Sequence, residues 1–208
     1  MMRLIYGYAR GVEAVNRRIG RITMYLIFVM MAVLLYSSFS KVVADVTGWS
    51  DPTVAVNLPN FWTLETAQFI MVAFYILGGP YSLQLGSNVR MDLLYGSWSD
   101  GTKAWADAVT VSAMIFFLGV LLYGGLASLA YSLGYYGMEP LVFYRELITS
   151  VFTGETAEVL GRFERSPTAW RPYLWPIKTI MCFGFVMMLL QATAELIKDI
   201  ARIRGEQF

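Results

Sequence analysis

Residues 77–94 read LGGPYSLQLGSNVRMDLL. The stretch closes one long apolar run with Gly78-Gly79-Pro80 and turns through Gly86-Ser87-Asn88. It then sets Arg90 and Asp92 just outside the greasy segment, and the next apolar run begins near Ala104. Two runs long enough to cross a bilayer, joined by a short polar turn, predict a membrane hairpin. The rest of the chain reads outward from it.

Of the 208 residues, 57% are hydrophobic and 15% charged, with a mean hydropathy of +0.52. A soluble domain carries about 25% charged residues. Here the charges cluster between long charge-free runs, the pattern of a polytopic membrane protein. The net charge of +1 gives no nucleic-acid footprint. Cys182 is the one cysteine, so neither an intrachain disulfide nor a CxxC redox site exists. There is no histidine, which removes histidine-ligated haem, histidine metal sites and histidine acid–base catalysis.

Working outward, the pattern predicts a single all-α membrane domain over 1–208, with spans at 22–43, 61–85, 106–136 and 173–198. Residues 1–21 precede them as an amphipathic lead. Leu4, Ile5, Tyr8, Val12, Val15 and Ile19 recur at helical spacing, while Arg3, Arg10, Arg17, Arg18 and Arg21 project mainly elsewhere. That suits a helix lying in the headgroup region, against the alternative of a merely basic, frayed tail. The first span has no charge before Lys41, whose long stem reaches the surface. Trp49 and Trp62 stand where an aromatic belt would lie. Glu65 is the only charge of the second span and sits about a turn inside its start. It is either a dipole-paired glutamate or a buried coupling or subunit-contact carboxylate. Gly78-Gly79-Pro80 is expected to kink that helix or loosen its last turns.

The third run, 108–138, spans 31 residues without a charge. A tilted helix, or one ending near residues 134–137, absorbs the excess. Gly124, Ser128 and Ser132 repeat every four residues, a small-residue face for close helix approach, within the chain or with a partner. Residues 139–171 form the longest connection. Leu141, Val142, Phe143, Leu147, Ile148, Val151 and Phe152 alternate with Arg145 and Glu146, predicting short amphipathic helices on the outer surface. The segment 166–178, SPTAWRPYLWPIK, leads into the fourth span. Trp170, Tyr173 and Trp175 are belt residues, and Pro167, Pro172 and Pro176 stiffen the approach. Arg171 and Lys178 stand ready to neutralise lipid phosphates or a partner's acids. Gln191 and Glu195 are polar groups within the fourth span, near its exit.

Orientation follows from Lys and Arg. With both termini inside, the inner segments hold ten of the 16 basic residues and the outer side six (Lys41, Arg145, Arg162, Arg165, Arg171 and Lys178). The excess favours cytoplasmic termini. No nucleophile–base pair, phosphate-binding loop or metal-ligand cluster emerges, so the chain reads as a non-enzyme without a cofactor. Nor does it carry paired interrupted helices in matching halves, as many carriers do. This points to work alongside a larger membrane partner. The alternative is a self-sufficient homo-oligomeric carrier with Glu65 as its coupling carboxylate.

At residues 86–94 the sequence GSNVRMDLL resembles the glycine-(x)-histidine-(x)-arginine-valine-aspartate turn of the DctQ-like small membrane subunit of tripartite ATP-independent periplasmic (TRAP) transporters. Arg90 and Asp92 match its charged pair; Asn88 stands where histidine is common and Met91 where valine is common. The basic lead, the four spans, the fourth-span opening Pro172-(x)-(x)-Trp175-Pro176-(x)-Lys178, and Gln191 and Glu195 extend the likeness over nearly the whole chain. The resemblance implies a large, roughly twelve-span partner that holds substrate and sodium sites and moves as an elevator. It also implies a periplasmic binding protein that delivers an organic acid, and a location in the bacterial inner membrane. This subunit would brace the static scaffold, with Asn88, Arg90, Asp92, Trp170, Pro172, Trp175, Pro176 and Lys178 as structural or subunit contacts.

Overall fold

The computed structural model describes residues 2–47, 60–85, 98–154 and 156–203. The turn that carries Asn88, Arg90 and Asp92 lies outside the described residues.

The fold is all-α. In chain order the helices are α1 (Met2–Thr23), α2 (Leu26–Thr47), α3 (Asn60–Gln84), α4 (Asp100–Ser132), α5 (Pro140–Thr153), α6 (Thr156–Val159) and α7 (Trp175–Ile203). Among the described residues the extended structure is one isolated bridge, Arg165 to Tyr173. Among the described residues four helical stretches are long and apolar enough to cross a membrane: Gly7–Val43, Trp62–Gln84, Gly101–Ser132 and Trp175–Ile203. The first runs through the tight turn at Met24-Tyr25 that joins α1 to α2.

Helix ends have local causes. Ser99 caps α4 through its hydroxyl, which accepts from the Thr102 amide at 3.4 Å. The helix starts at Asp100 and stops at Ser132 because Gly134 adopts φ +94°, a left-handed conformation that suits glycine. It therefore occupies a window shifted from the expected 106–136. Gly154, at φ +81°, ends α5 in the same way. Pro80 does not stop α3, which continues to Gln84. Lacking an N–H, Pro80 leaves the Ile76 carbonyl without its usual helical donor.

The helices pack as a row of neighbours that departs from chain order. α2 packs on α3, α3 on α7 and α7 on α4, giving the order α2–α3–α7–α4, while α1 crosses onto both α3 and α7. α7 thus has neighbours on both sides. Its contacts are close because small residues line them. A Cβ at Gly184 would fall 3.0 Å from the Ile76 carbonyl oxygen and still closer to the Ile76 side chain, so only glycine lets α7 lie against that point of α3. On the other side, a Cβ at Gly125 of α4 would meet Cys182 at 3.3 Å. Leu118, Phe185 and Ala192 form the buried centre, with Ile76, Met114, Ile115 and Met188 around it.

The outward faces are apolar and uncovered. On α2, Phe28, Leu35 and Phe39 are at least 62% exposed. On α4, Trp105, Val109, Phe116, Val120 and Tyr123 share one exposed stripe. In water such area would drive aggregation; it suits lipid or a membrane partner.

α1 presents three faces. Ala9, Asn16, Gly20 and Thr23 are buried against the helix row. Tyr8, Val15 and Ile22, from the adjoining apolar arc, stay exposed, and the arginines occupy the remainder. The expected apolar stripe is thus not the face that packs on the protein. Gly20 decides this, because a Cβ there would lie 2.5 Å from the Tyr81 side chain.

Candidate functional site: two polar fastenings at opposite ends of α7

The first fastening joins α1 to the C-terminal half of α7. Residues 191, 195 and 198 recur at spacings of four and three, so they share one face of α7. Glu13 and Asn16 share the facing side of α1. Asn16 Nδ2 donates to Gln191 Oε1 at 2.7 Å, and Gln191 Nε2 donates to Glu195 Oε1 at 2.8 Å. Lys198 donates to the same Glu195 oxygen at 3.0 Å and also pairs with Glu13. Asn16 and Gln191 are buried at 1% and 0% exposure, where an unpaired amide would be costly. Five charged or amide groups, Glu13, Asn16, Gln191, Glu195 and Lys198, are thereby linked to one another, with Asn16 Oδ1 left without a partner among the described residues, and a helix at the chain's start is bound to one at its end. Tyr8 adds a more exposed hydroxyl contact of 2.9 Å to Thr193.

The second fastening closes the far end, where α4 finishes and α7 begins. The last carbonyls of a helix have no intrahelical donor. Here the connecting segment supplies donors: the Gly161 amide bonds Leu133 O at 3.1 Å and the Glu164 amide bonds Ser132 O at 3.0 Å. Lys178 Nζ reaches Ser128 O at 3.2 Å and Glu164 Oε2 at 2.6 Å. Its charge also opposes the negative end of the α4 dipole. Gly134 and Gly161 come so close that a Cβ on either would strike the other's backbone. Beyond them, the Arg165–Tyr173 bridge and a 2.9 Å bond from the Ser166 amide to Pro172 O fold 165–173 into a hairpin. α5 joins this end through Tyr144, whose hydroxyl donates to Leu126 O at 2.9 Å. Burial pushes the Tyr144 pKa up to about 12, so it remains a donor at ordinary pH.

The residues singled out from sequence divide accordingly. Gln191 and Glu195 belong to the first fastening. Lys178 is central to the second, and Pro176 occupies the first turn of α7. Pro172 supplies a hairpin carbonyl, while Trp170 and Trp175 remain 46% and 40% exposed. Glu65 is buried, and its Oε2 has no hydrogen-bond partner among the described residues. The small-residue stripe splits. Ser132 is fully buried and Ser128 serves through its carbonyl, but Gly124 is exposed with nothing within 4 Å. The close approach to α7 falls on Gly125 instead. Glu13, Asn16, Lys198 and Glu164 did not stand out in the sequence as site residues. A signal existed for the first pair: Ala9, Asn16, Gly20 and Thr23 are small or polar residues on one helical face, beside the apolar arc.

Neither the curated proteins nor the solved structures yield a match to this chain. Among family models, residues 54–202 match "Tripartite ATP-independent periplasmic transporters, DctQ component". That match covers most of the chain, including α3, α4, α7 and the segment between α4 and α7. The chain belongs to the DctQ component family of TRAP transporters.

Proposed function

We propose that this TRAP transporter component is a scaffold subunit that braces the large membrane subunit while that partner carries the substrate. The observation that carries the reading is the packing order. α7 is fastened at both ends and held between two helices, whereas α2 and α4 offer broad apolar faces along the edges of the row. A rigid element with uncovered sides suits a part that holds still while another moves. Transport is expected to be coupled to sodium and to take up organic acids by an elevator motion of the partner, with substrate delivered by a periplasmic binding protein. Both termini are expected in the cytoplasm. Arg90 and Asp92 would then tie the inner ends of α3 and α4, with Asn88 in the same turn; replacing Asp92 by alanine should lower complex yield or uptake.

A second reading draws on one observation, the buried Glu65 with its unpartnered oxygen. In that reading the chain is itself a small carrier. Reconstitution into liposomes separates the two. The scaffold reading expects no uptake by this chain alone, and sodium-dependent uptake once the large subunit and the binding protein are added. Uptake by this chain alone, abolished by Glu65→Gln, would establish the carrier instead.

A further inference from the structure

The hairpin at the α4/α7 end closes a polar cleft of about 730 Å³. Tyr131, Tyr136, Phe163 and Tyr173 supply aromatic walls, and Arg162, Arg165 and Arg171 supply three guanidinium groups. Among the described residues the one acid lining it, Glu164, is already paired with Lys178 at 2.6 Å. Among the described residues the lining therefore carries three positive charges without a counter-charge of its own. Arg162 and Arg171 make no hydrogen bond or ion pair among the described residues. Arg165 is held in place: its guanidinium lies 4.5 Å from the Tyr173 ring centre and donates to the Tyr173 hydroxyl. Arg171 sits at φ +52°, a left-handed conformation unfavourable for a long side chain. Folding thus gathers like charges and accepts backbone strain at one of them. An anion in the cleft would account for both.

The depth of the cleft indicates which anion. It lies where two membrane-length helices end and begin. Trp170 and Trp175, which bracket the lining residues Arg171 and Tyr173 in sequence, are half-exposed, as amphipathic rings are at headgroup level. Next to it, α5 leaves Leu141, Ile148 and Phe152 exposed on one face, as a helix half-sunk in the interface would. Guanidinium groups bind phosphate oxygens in a two-pronged geometry. We infer that this cleft is a binding site for the phosphate of an acidic phospholipid headgroup, anchoring the α4/α7 end in the membrane. The inference does not depend on which partner the subunit braces, and its test needs only this chain.

The experiment uses the purified full chain, dihexanoyl-phosphatidylglycerol as the probe and dihexanoyl-phosphatidylcholine as the neutral control. Binding is followed by thermophoresis and by lipid retention in native mass spectrometry. Phosphatidylglycerol should bind at least about tenfold more tightly than phosphatidylcholine. Arg162→Gln with Arg165→Gln should erase that preference. Arg171→Gly separates binding from folding: it relieves the left-handed backbone, so the chain should melt no lower, yet phosphatidylglycerol affinity should fall several-fold. Arg162→Lys should retain most of the binding. Equal affinity for the two lipids would overturn the inference, as would unchanged phosphatidylglycerol binding by a folded Arg171→Gly chain. Inorganic phosphate that competes as strongly as the lipid would overturn it too, marking a free-anion site.

Discussion

α7 and α2 are both long apolar helices, and the molecule treats them differently. α7 lies between α3 and α4, meets α1 at one end and is clasped by the connecting segment at the other. Apart from Phe185, its buried positions are small or polar: Cys182, Gly184, Gln191, Ala192, Ala194, Asp199 and Ala201. α2 packs on one neighbour, with only a slight contact to α1, and most of its large side chains point outward. One polar link to α3 runs from the Thr63 hydroxyl to Ser37 Oγ at 3.1 Å, beside the tilted ring pair Tyr36 and Trp62. The difference teaches that hydropathy selects which helices enter the membrane, while small and polar residues select which of them becomes internal. In lipid, apolar side chains gain little by leaving one greasy surface for another, so close backbone approach and hydrogen bonding decide the packing.

The largest effect should come from filling the closest approach. Gly184→Leu forces α7 away from Ile76 and its carbonyl. Overpacking of this kind costs about 3 kcal/mol. The expected outcome is a marked fall in thermal midpoint in detergent, or loss of folded yield; a wild-type melting curve would show that α7 and α3 do not touch there.

Next is the ion cluster. Lys198→Met leaves Glu13 and Glu195 facing each other without their shared cation. All three side chains are mostly buried, so a loss of about 2 kcal/mol is expected. A double-mutant cycle with Glu13→Gln should recover part of it, because the second change removes the stranded charge. Additive losses would mean the pair is not formed.

Asn16→Ala should cost about 1–2 kcal/mol, since Gln191 Oε1 loses its donor inside the protein. The same variant should speed proteolysis within α1, checked by limited digestion, if the lead helix is held mainly through this face.

Smallest is Phe39→Ala on α2, whose ring is 70% exposed. The melting of the isolated chain should move by less than about 0.5 kcal/mol. Complex yield with the large subunit should fall if α2 is a contact edge.

The sequence carried the coarse plan for clear physical reasons. A run such as 22–43 cannot be solvated, and the resemblance at 86–94 named the family later found over residues 54–202. What it did not carry was rotational phase and long-range pairing. Gly124 and Gly125 differ by one position, which on a helix is about 100°, enough to move a small residue from the lipid face to the packed face. Asn16 and Gln191 are 175 positions apart, and nothing in either local pattern names the other. Lys198 and Glu195 looked like a span's polar exit; only the return of α1 makes them part of a fastening. On α1 the apolar arc is the conspicuous pattern, while the plainer face through Ala9 and Gly20 does the packing.

In the proposed scaffold role this chain is a bracing part of a larger membrane assembly rather than a carrier in itself. Co-purification tests it most directly. The tagged chain is expressed with its genomic neighbours and extracted in mild detergent, and what stays bound is identified and weighed. A scaffold subunit should bring down a stoichiometric large membrane protein, with yield reduced by Phe39→Ala. A stable oligomer of this chain alone, formed while the large protein is present and unbound, would contradict it.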